Sequence, residues 1–331
     1  TSGDTGGAAI EAFRGREAVD IFILHPRGRV SDVQRRQMTT VPDANVHNIA
    51  IEGNFDDCQT LVKSMFGDMA FRRDMALAGV NSINWARIMA QAVYYFTSAL
   101  ALGGPDVRPR FCVPSGNFGD IFAGHVAREM GLPVEQLIVA TNINDILART
   151  VATGRYEVAG VVPTTSPSMD IQISSNFERL LFDVYERDPG EVNRLMSGLK
   201  QSGAFTVEGA RLEKLNALCA AGKANEEEVG EAIRSALRQT GELLDPHTAV
   251  GFHVANQFEA GSSSPLITLA TAHPAKFPDA VREMSGQEAP LPAHVADLFE
   301  REERLDVQPN DLAAVQAFIA ERTSVKDGEA S

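Results

Sequence analysis

Apolar strand patterns alternate with helical patterns near the start of the sequence, and this alternation constrains the fold more than any other feature. Residues 19–24 and 46–51 predict strands, and residues 31–38 and 56–66, which follow them, predict helices. Two strands joined by a helix lie side by side in parallel, because parallel neighbours need a crossover connection. The sequence therefore predicts an α/β fold with a parallel sheet.

A second set of alternating patterns predicts a larger α/β unit. Its strand patterns lie at residues 110–114, 137–141 and 266–270, whereas most of residues 175–257 and 310–322 carry helical patterns. We therefore expect three regions: a small α/β unit over residues 1–83, a larger α/β domain over residues 84–289 with a helical insertion at about 170–260, and a helical tail over residues 290–331.

The predicted helix over residues 84–102 carries no charge after Arg87. Gln91 lies within it and the pair Gly103-Gly104 ends it, so it is too short and too interrupted to be a good membrane span. We expect instead a helix that is buried on most of its sides.

The composition excludes several classes of protein. The 331 residues include 30 Lys or Arg and 44 Asp or Glu, a formal net charge of −14, which argues against a nucleic-acid partner. No apolar run is long enough to span a membrane. The three cysteines, Cys58, Cys112 and Cys219, lie far apart without metal-ligand spacing, so neither a disulfide framework nor a metal site is predicted.

Three segments share one arrangement, in which a loop of small polar residues follows an apolar strand or its trace and precedes the start of a helix. They are residues 1–6, 115–120 and 271–277. Ligands of open α/β sheets bind outside the carboxyl ends of the strands, so we expect these loops to converge there.

The loop Ser115-Gly116-Asn117-Phe118-Gly119-Asp120 is the most informative of the three. Glycines allow the backbone to approach a ligand, and a helix N-terminus offers unpaired N–H groups to a phosphate. The alternative is that the glycines only form a tight turn. The loop has neither the Walker nor the Rossmann spacing, so the common nucleotide-binding folds lose support.

Two further polar clusters precede predicted helices. The hydroxyl-rich segment 1–6 suits a carboxylate or a phosphate, although Asp4 could be an ordinary N-cap. Residues 81–84 with Arg87 could bind a phosphate, although this pattern is also typical of a cap followed by a surface arginine. His247 and His273 lie near presumed element ends, where we expect hydrogen-bonded support as an alternative to a catalytic role.

Seven ordered motifs together resemble the threonine synthase family. They are Thr1-Ser2-Gly3-Asp4-Thr5-Gly6, His25-Pro26-Arg27-Gly28, Asn81-Ser82-Ile83-Asn84, Pro114-Ser115-Gly116-Asn117-Phe118-Gly119-Asp120, Ala140-Thr141-Asn142-x-Asn144-Asp145, Asp245-Pro246-His247-Thr248-Ala249-Val250 and Thr271-Ala272-His273-Pro274-Ala275-Lys276-Phe277. The resemblance runs from residue 1 to about residue 280.

The resemblance implies an enzyme of fold type II, similar to the tryptophan synthase β chain, which uses pyridoxal 5'-phosphate. Its reaction would convert O-phospho-L-homoserine and water to L-threonine and phosphate by β,γ-elimination and replacement, the last step of threonine biosynthesis. The larger unit would hold the cofactor, with Gly116, Asn117, Phe118, Gly119 and Asp120 around its phosphate and Thr271 against its pyridine nitrogen. The substrate would contact Ser2, Asp4, Thr5, Asn81, Ser82, Asn84, Arg87 and Lys276.

One family motif is missing from this sequence. The resemblance places the Schiff-base lysine in a Phe-Lys-Asp motif upstream of Thr1, and none of the six lysines stands in that context. We therefore expect an N-terminally truncated chain without its catalytic lysine, inactive alone and derived from a cytoplasmic enzyme. Two alternatives stay open: a phosphohomoserine lyase that releases 2-oxobutyrate, and a non-catalytic binder of phosphorylated metabolites.

Overall fold

The computed structural model describes residues 1, 3–260 and 262–324. The chain divides into two compact units. The first comprises residues 1–81 and the segment from Pro290 onward, and the second comprises Ser82–Ala289.

The described residues form nine strands. They are β1 (Ile21–Pro26), β2 (Val46–Glu52), β3 (Arg110–Pro114), β4 (Gln136–Thr141), β5 (Arg155–Glu157), β6 (Ala204–Thr206), β7 (Cys219–Lys223), β8 (Leu266–Thr268) and β9 (Asp306–Pro309).

The described residues also form fourteen α-helices. They are α1 (Asp4–Phe13), α2 (Asp32–Thr39), α3 (Phe55–Gly67), α4 (Met69–Asp74), α5 (Trp85–Ala101), α6 (Gly119–Glu129), α7 (Ile146–Thr153), α8 (Phe177–Val184), α9 (Pro189–Ser202), α10 (Ala210–Leu218), α11 (Glu226–Thr240), α12 (Pro246–Gln257), α13 (Pro278–Ser285) and α14 (Leu312–Arg322). Short 3₁₀ helices lie at Pro167–Met169, Pro274–Lys276 and Ala293–Val295.

The first unit contains a parallel sheet in the order β1-β2-β9. Helices α3 and α14 contribute to one apolar cluster with β1 and β2, whereas α1 and α2 contribute to the other. The predicted pairing of the first two strands is confirmed. The last strand is not predicted, because Asp306-Val-Gln-Pro lies at the sheet edge and is largely exposed. Residues 290–331 therefore supply an edge strand as well as the helix predicted there.

The second unit contains a parallel sheet in the order β7-β4-β3-β8. All five residues of β3 are buried, which explains the apolar run that follows Arg110. The Arg110 guanidinium donates to the Phe258 carbonyl at 2.6 Å. The short strands β5 and β6 form a separate antiparallel pair. The strands predicted at 110–114 and 137–141 are confirmed, and the one at 266–270 is shorter than predicted.

The insertion predicted at about 170–260 is not wholly helical. Strand β7 lies within it and pairs with β4 along five residues, from Leu137 opposite Cys219 to Thr141 opposite Lys223. Its sequence, Cys-Ala-Ala-Gly-Lys, contains no β-branched or aromatic residue, so it carries no strand signal of its own. The neighbouring strand determines its conformation.

The prediction that the helix at 84–102 is buried on most sides is wrong. In α5 the buried residues Ile88, Ala92, Tyr95 and Ala99 form one stripe. Several apolar residues outside this stripe are open, with Met89 58% and Leu100 60% exposed in the structure. None of the helices in residues 1, 3–260 and 262–324 is long and apolar enough to cross a membrane.

Candidate functional site

The loop that follows β3 is shaped by a serine and a left-handed residue. The Ser115 hydroxyl accepts a hydrogen bond from the Phe118 N–H at 3.1 Å. Phe118 has φ 61° at the N-cap of α6, an uncommon conformation for a residue with a side chain. Its fully buried ring packs edge-on against Phe177 and thereby holds the backbone in this conformation.

The first turn of α6 has free backbone donors. Among the described residues, none accepts a hydrogen bond from the N–H groups of Gly119, Asp120 or Ile121, and no side chain caps the helix. These groups and the positive end of the helix dipole form a binding site suited to an anion. The geometry therefore fits the phosphate of the implied cofactor.

Gly116 lies against a second loop that supports the first. A Cβ atom at Gly116 would lie 3.0 Å from the Met169 Cα and 3.2 Å from the Ser168 carbonyl oxygen. The Ser174 hydroxyl also donates to the Gly116 carbonyl at 2.7 Å. The glycine is therefore required by close backbone packing.

Asn176 connects two predicted site segments and was not predicted itself. Its fully buried amide donates to the Ser82 carbonyl at 2.8 Å and to the Asn117 carbonyl at 3.0 Å. Ser175-x-x-Glu178 has the spacing of a capping box, but the Ser175 hydroxyl donates to the Asn117 side chain instead. The structure thus brings residue 82 next to the loop at residues 115–120, which is called the phosphate loop below.

The start of α5 combines the predicted cap and the predicted cation. The Asn84 side chain accepts from the Ala86 N–H at 2.9 Å, as expected of an N-cap. Arg87 lies one turn later, and burial lowers its pKa. A partly desolvated guanidinium interacts more strongly with a phosphate than one in water.

Thr271 lies beyond β8, the strand that pairs with β3, so its loop and the phosphate loop emerge at the same sheet edge. The Thr271 residue is exposed, and its N–H donates to the Thr248 hydroxyl at 3.2 Å. His273 caps the 3₁₀ helix Pro274–Lys276 by accepting from the Ala275 N–H, which agrees with a supporting role. The structure therefore brings two of the three predicted loops together within the second unit.

Asp120 is an acidic group in the first turn of α6. Burial raises its pKa to about 6, and its Oδ1 atom has no hydrogen-bond partner among the described residues. The Tyr95 hydroxyl donates to the Asp120 backbone carbonyl at 2.7 Å, which ties the turn to α5. Below pH 6 the side chain is mostly neutral and does not repel an anion at the helix start.

A buried polar network lies after β4, at the motif Asn142-x-Asn144. The two asparagine amides donate to Asp170 Oδ1 at 2.8 Å and 2.9 Å. Asp170 also accepts from the Thr164 hydroxyl at 2.7 Å. The network fixes the loop that carries the residues packed against Gly116.

In the first unit, Thr1 contacts the start of α1. The Thr1 hydroxyl accepts from the N–H groups of Gly3 and Gly6 at 3.1 Å and 3.0 Å. Gly3 is the N-cap of α1, so Asp4 occupies the first helical position and accepts from the Gln34 amide at 3.0 Å.

The remaining predicted substrate residues lie outside the second unit. Ser2 lies outside the described residues. Asp4, Thr5 and Asn81 belong to the first unit, and their contact with a substrate stays a prediction. Within residues 1, 3–260 and 262–324 there is no cluster of three or more His, Cys, Asp or Glu that could hold a metal ion.

Sequence and structure comparisons find closely similar proteins. The family described as "Threonine synthase, C-terminal" matches residues 248–319. The threonine synthase of Pseudomonas aeruginosa is 56% identical over 97% of this chain, which covers 69% of that protein. The structure of PLP-bound threonine synthase from Brucella melitensis has a TM-score of 0.95 and 58% identity, covering 98% of this chain and 70% of that one. The structure of yeast threonine synthase has a TM-score of 0.89 and 42% identity, covering 97% and 68%.

Proposed function

Because the chain belongs to the threonine synthase family, whose fold is that of type II pyridoxal-phosphate enzymes, we propose that it converts O-phospho-L-homoserine and water to L-threonine and phosphate. The main support from the structure is the unpaired first turn of α6 beside the loop of Thr271. When bound there, the coenzyme supplies an electron sink for the carbanions of the reaction.

The phosphate loop holds the coenzyme in our proposal. The N–H groups of Gly119, Asp120 and Ile121 bind the phosphate. The Phe118 N–H does not take part, because it donates to the Ser115 hydroxyl. This site is rigid because Phe118 and the Gly116 backbone are both held by buried contacts. A rigid anion site holds the coenzyme's pyridine ring in one orientation, and the loop does not have to become ordered when the coenzyme binds.

Thr271 is proposed to face the pyridine nitrogen. A hydroxyl is neutral, so it holds a proton on that nitrogen less firmly than a carboxylate does. A milder electron sink leaves more control of each proton transfer to the protein.

The substrate's phosphate and carboxylate need cations and polar donors. Within the second unit, Arg87 and Lys276 supply positive charge, whereas Ser82 and Asn84 supply polar groups at the start of α5. An anion site apart from the phosphate loop is needed because the reaction releases phosphate from the substrate while the coenzyme keeps its own.

We further propose that none of the six lysines in this sequence binds the coenzyme covalently. Lys214 donates to the Asp183 carbonyl and Lys223 pairs with Asp145, which gives both a structural role. Lys276 belongs to the segment proposed for substrate binding. Borohydride reduction of the full-length enzyme with pyridoxal phosphate, followed by peptide mapping, should label a lysine outside residues 1–331. Stoichiometric labelling of Lys276 would contradict this proposal.

Product analysis tests the proposed reaction. The full-length enzyme supplied with O-phospho-L-homoserine should release phosphate and threonine in equal amounts. Release of 2-oxobutyrate and ammonia as the main products would instead identify a lyase on the same fold. Absence of any phosphate release by coenzyme-loaded enzyme would refute both reactions.

A further inference from the structure

Asp245 makes more contacts than a helix cap requires. It is the fully buried N-cap of α12 and accepts from the backbone N–H groups of His247 at 2.8 Å and Thr248 at 3.3 Å. These two bonds complete an ordinary N-cap. The same carboxylate also accepts from the His247 Nδ1 atom at 3.0 Å and from the Thr248 hydroxyl. These two side-chain contacts connect Asp245 to two different loops.

The Thr248 contact leads to the loop at Thr271. An ionised carboxylate can only accept hydrogen bonds, so the Thr248 hydroxyl must use its proton toward Asp245. Its lone pairs then face the Thr271 N–H, which donates to it at 3.2 Å. Asp245 thereby determines which way the Thr248 hydroxyl points and, through it, where Thr271 lies.

The His247 contact leads to the loop behind Gly116. Because the Nδ1 atom donates to Asp245, the Nε2 atom is the acceptor, and the Ser168 N–H donates to it at 3.3 Å. The Ser168 carbonyl would lie 3.2 Å from a Cβ atom at Gly116. The second contact of Asp245 thus supports the backbone against which the phosphate loop packs.

We propose that Asp245 is a positioning residue that sets the spacing between the phosphate loop and Thr271, through His247 on one side and Thr248 on the other. The inference rests on the proposed function, since that assigns the two loops to the two ends of the coenzyme. One buried carboxylate then keeps both loops at the distance that the phosphate and the pyridine nitrogen require.

The test uses the full-length protein and two measurements. Thr248→Val removes the hydroxyl while keeping the shape of the side chain, and Thr248→Ser restores it. Thr150→Val is a matched control, because Thr150 is also buried in the second unit and its hydroxyl donates to the Ile146 carbonyl of its own helix. The dissociation constant for pyridoxal phosphate is measured by titration, and the exchange of the Thr271 amide proton is measured without coenzyme.

We expect Thr248→Val to weaken coenzyme binding and to speed exchange at Thr271, each by about tenfold, the effect of losing one hydrogen bond. Thr248→Ser and Thr150→Val should stay within about twofold of the parent protein in both measurements. Asp245→Asn should weaken binding further, but Thr248→Val decides the question if that variant does not fold.

The outcomes separate the two proposals. If the parent protein binds no pyridoxal phosphate, the proposed function is wrong, and the exchange data still show whether Thr248 holds Thr271. If the parent binds it and Thr248→Val binds it equally well, the positioning role is refuted. Unchanged exchange at Thr271 would refute it as well.

Discussion

Replacing Gly124 with alanine tests how closely α5 and α6 must pack to hold the phosphate loop. A Cβ atom at Gly124 would lie 2.5 Å from the Tyr95 Cε1 atom and 2.8 Å from the Leu137 Cδ2 atom. Tyr95 is fully buried and cannot turn into solvent. The added methyl group must therefore move α5 away from α6 and weaken the hydrogen bond from Tyr95 to Asp120.

The size of the effect follows from two opposing contributions. Overpacking of this severity costs about 3 kcal/mol, at the upper end of its usual range. Alanine in a helix interior recovers about 1 kcal/mol relative to glycine. The net loss of about 2 kcal/mol corresponds to roughly thirtyfold faster exchange of the amide protons in α6.

Hydrogen exchange of the full-length protein, resolved by residue, measures this loss. Gly198→Ala in α9 is the matched control, because a Cβ atom there would meet only the Ala204 carbonyl oxygen at 3.4 Å, an ordinary contact. That variant should gain about 0.5–1 kcal/mol from helix propensity. Protection of α6 in Gly124→Ala equal to the parent protein would refute the packing argument.

Three further predictions can be checked by urea unfolding of the full-length protein. Burial raises the pKa of Asp120 to about 6, so the neutral side chain contributes its full share to the free energy of unfolding below about pH 4, and this contribution is lost as the pH rises through 6. Asp120→Asn should therefore be more stable than the parent at pH 8 by up to about 2 kcal/mol. An equal difference at pH 4 would contradict this. The Arg35 side chain lowers the pKa of Glu303 to about 2, so this pair stabilises the protein fully above about pH 4.5, and the stabilisation is lost as the pH falls through 2. Glu303→Gln should lower the free energy of unfolding by about 1–2 kcal/mol at pH 7. The stability of this variant should not show the parent's decrease between pH 4.5 and 2. Asn176→Ala leaves the Ser82 carbonyl unpaired and removes one of two hydrogen bonds to the Asn117 carbonyl, which keeps the Asn176 backbone N–H; it should cost about 1–3 kcal/mol, whereas Asn193→Ala at an exposed position should cost under about 0.5 kcal/mol. Equal costs would show that the Asn176 side-chain bonds contribute nothing.

The parts of the fold that local chemistry determines were predictable from the sequence. The buried parallel strand β3 is an apolar run after its first residue, Arg110, and the capping-box spacing of Asn225 with Glu228 marks the start of α11 where the structure has it. Pro189 and Pro246 stand at the first positions of their helices, where proline is favoured. The loop before α6 was predictable for the same reason, since its glycines and the helix after it are contiguous, whereas its binding of a phosphate stays a prediction.

The missed features depend on partners far away in the sequence. Strand β7 forms because β4 offers it hydrogen bonds, and its own residues favour no strand. The amide of Asn176 acts on carbonyls at residues 82 and 117, which no spacing rule connects to it. Likewise, the absence of charge from α5 after Arg87 predicts burial, but the sequence of α5 does not say how many of its faces the rest of the chain covers.

The order of the central sheet has a consequence for protein synthesis. Strand β3 lies between β4, which follows it closely along the chain, and β8, which is made only after the whole helical region and β7. A ribosome that has just released residue 120 has made the loop at Gly116, but Asp245 and Thr271 are still untranslated. On our proposal the nascent polypeptide cannot secure vitamin B6 at both ends until translation of the second unit is almost finished, so loading of the coenzyme is a late event in biogenesis.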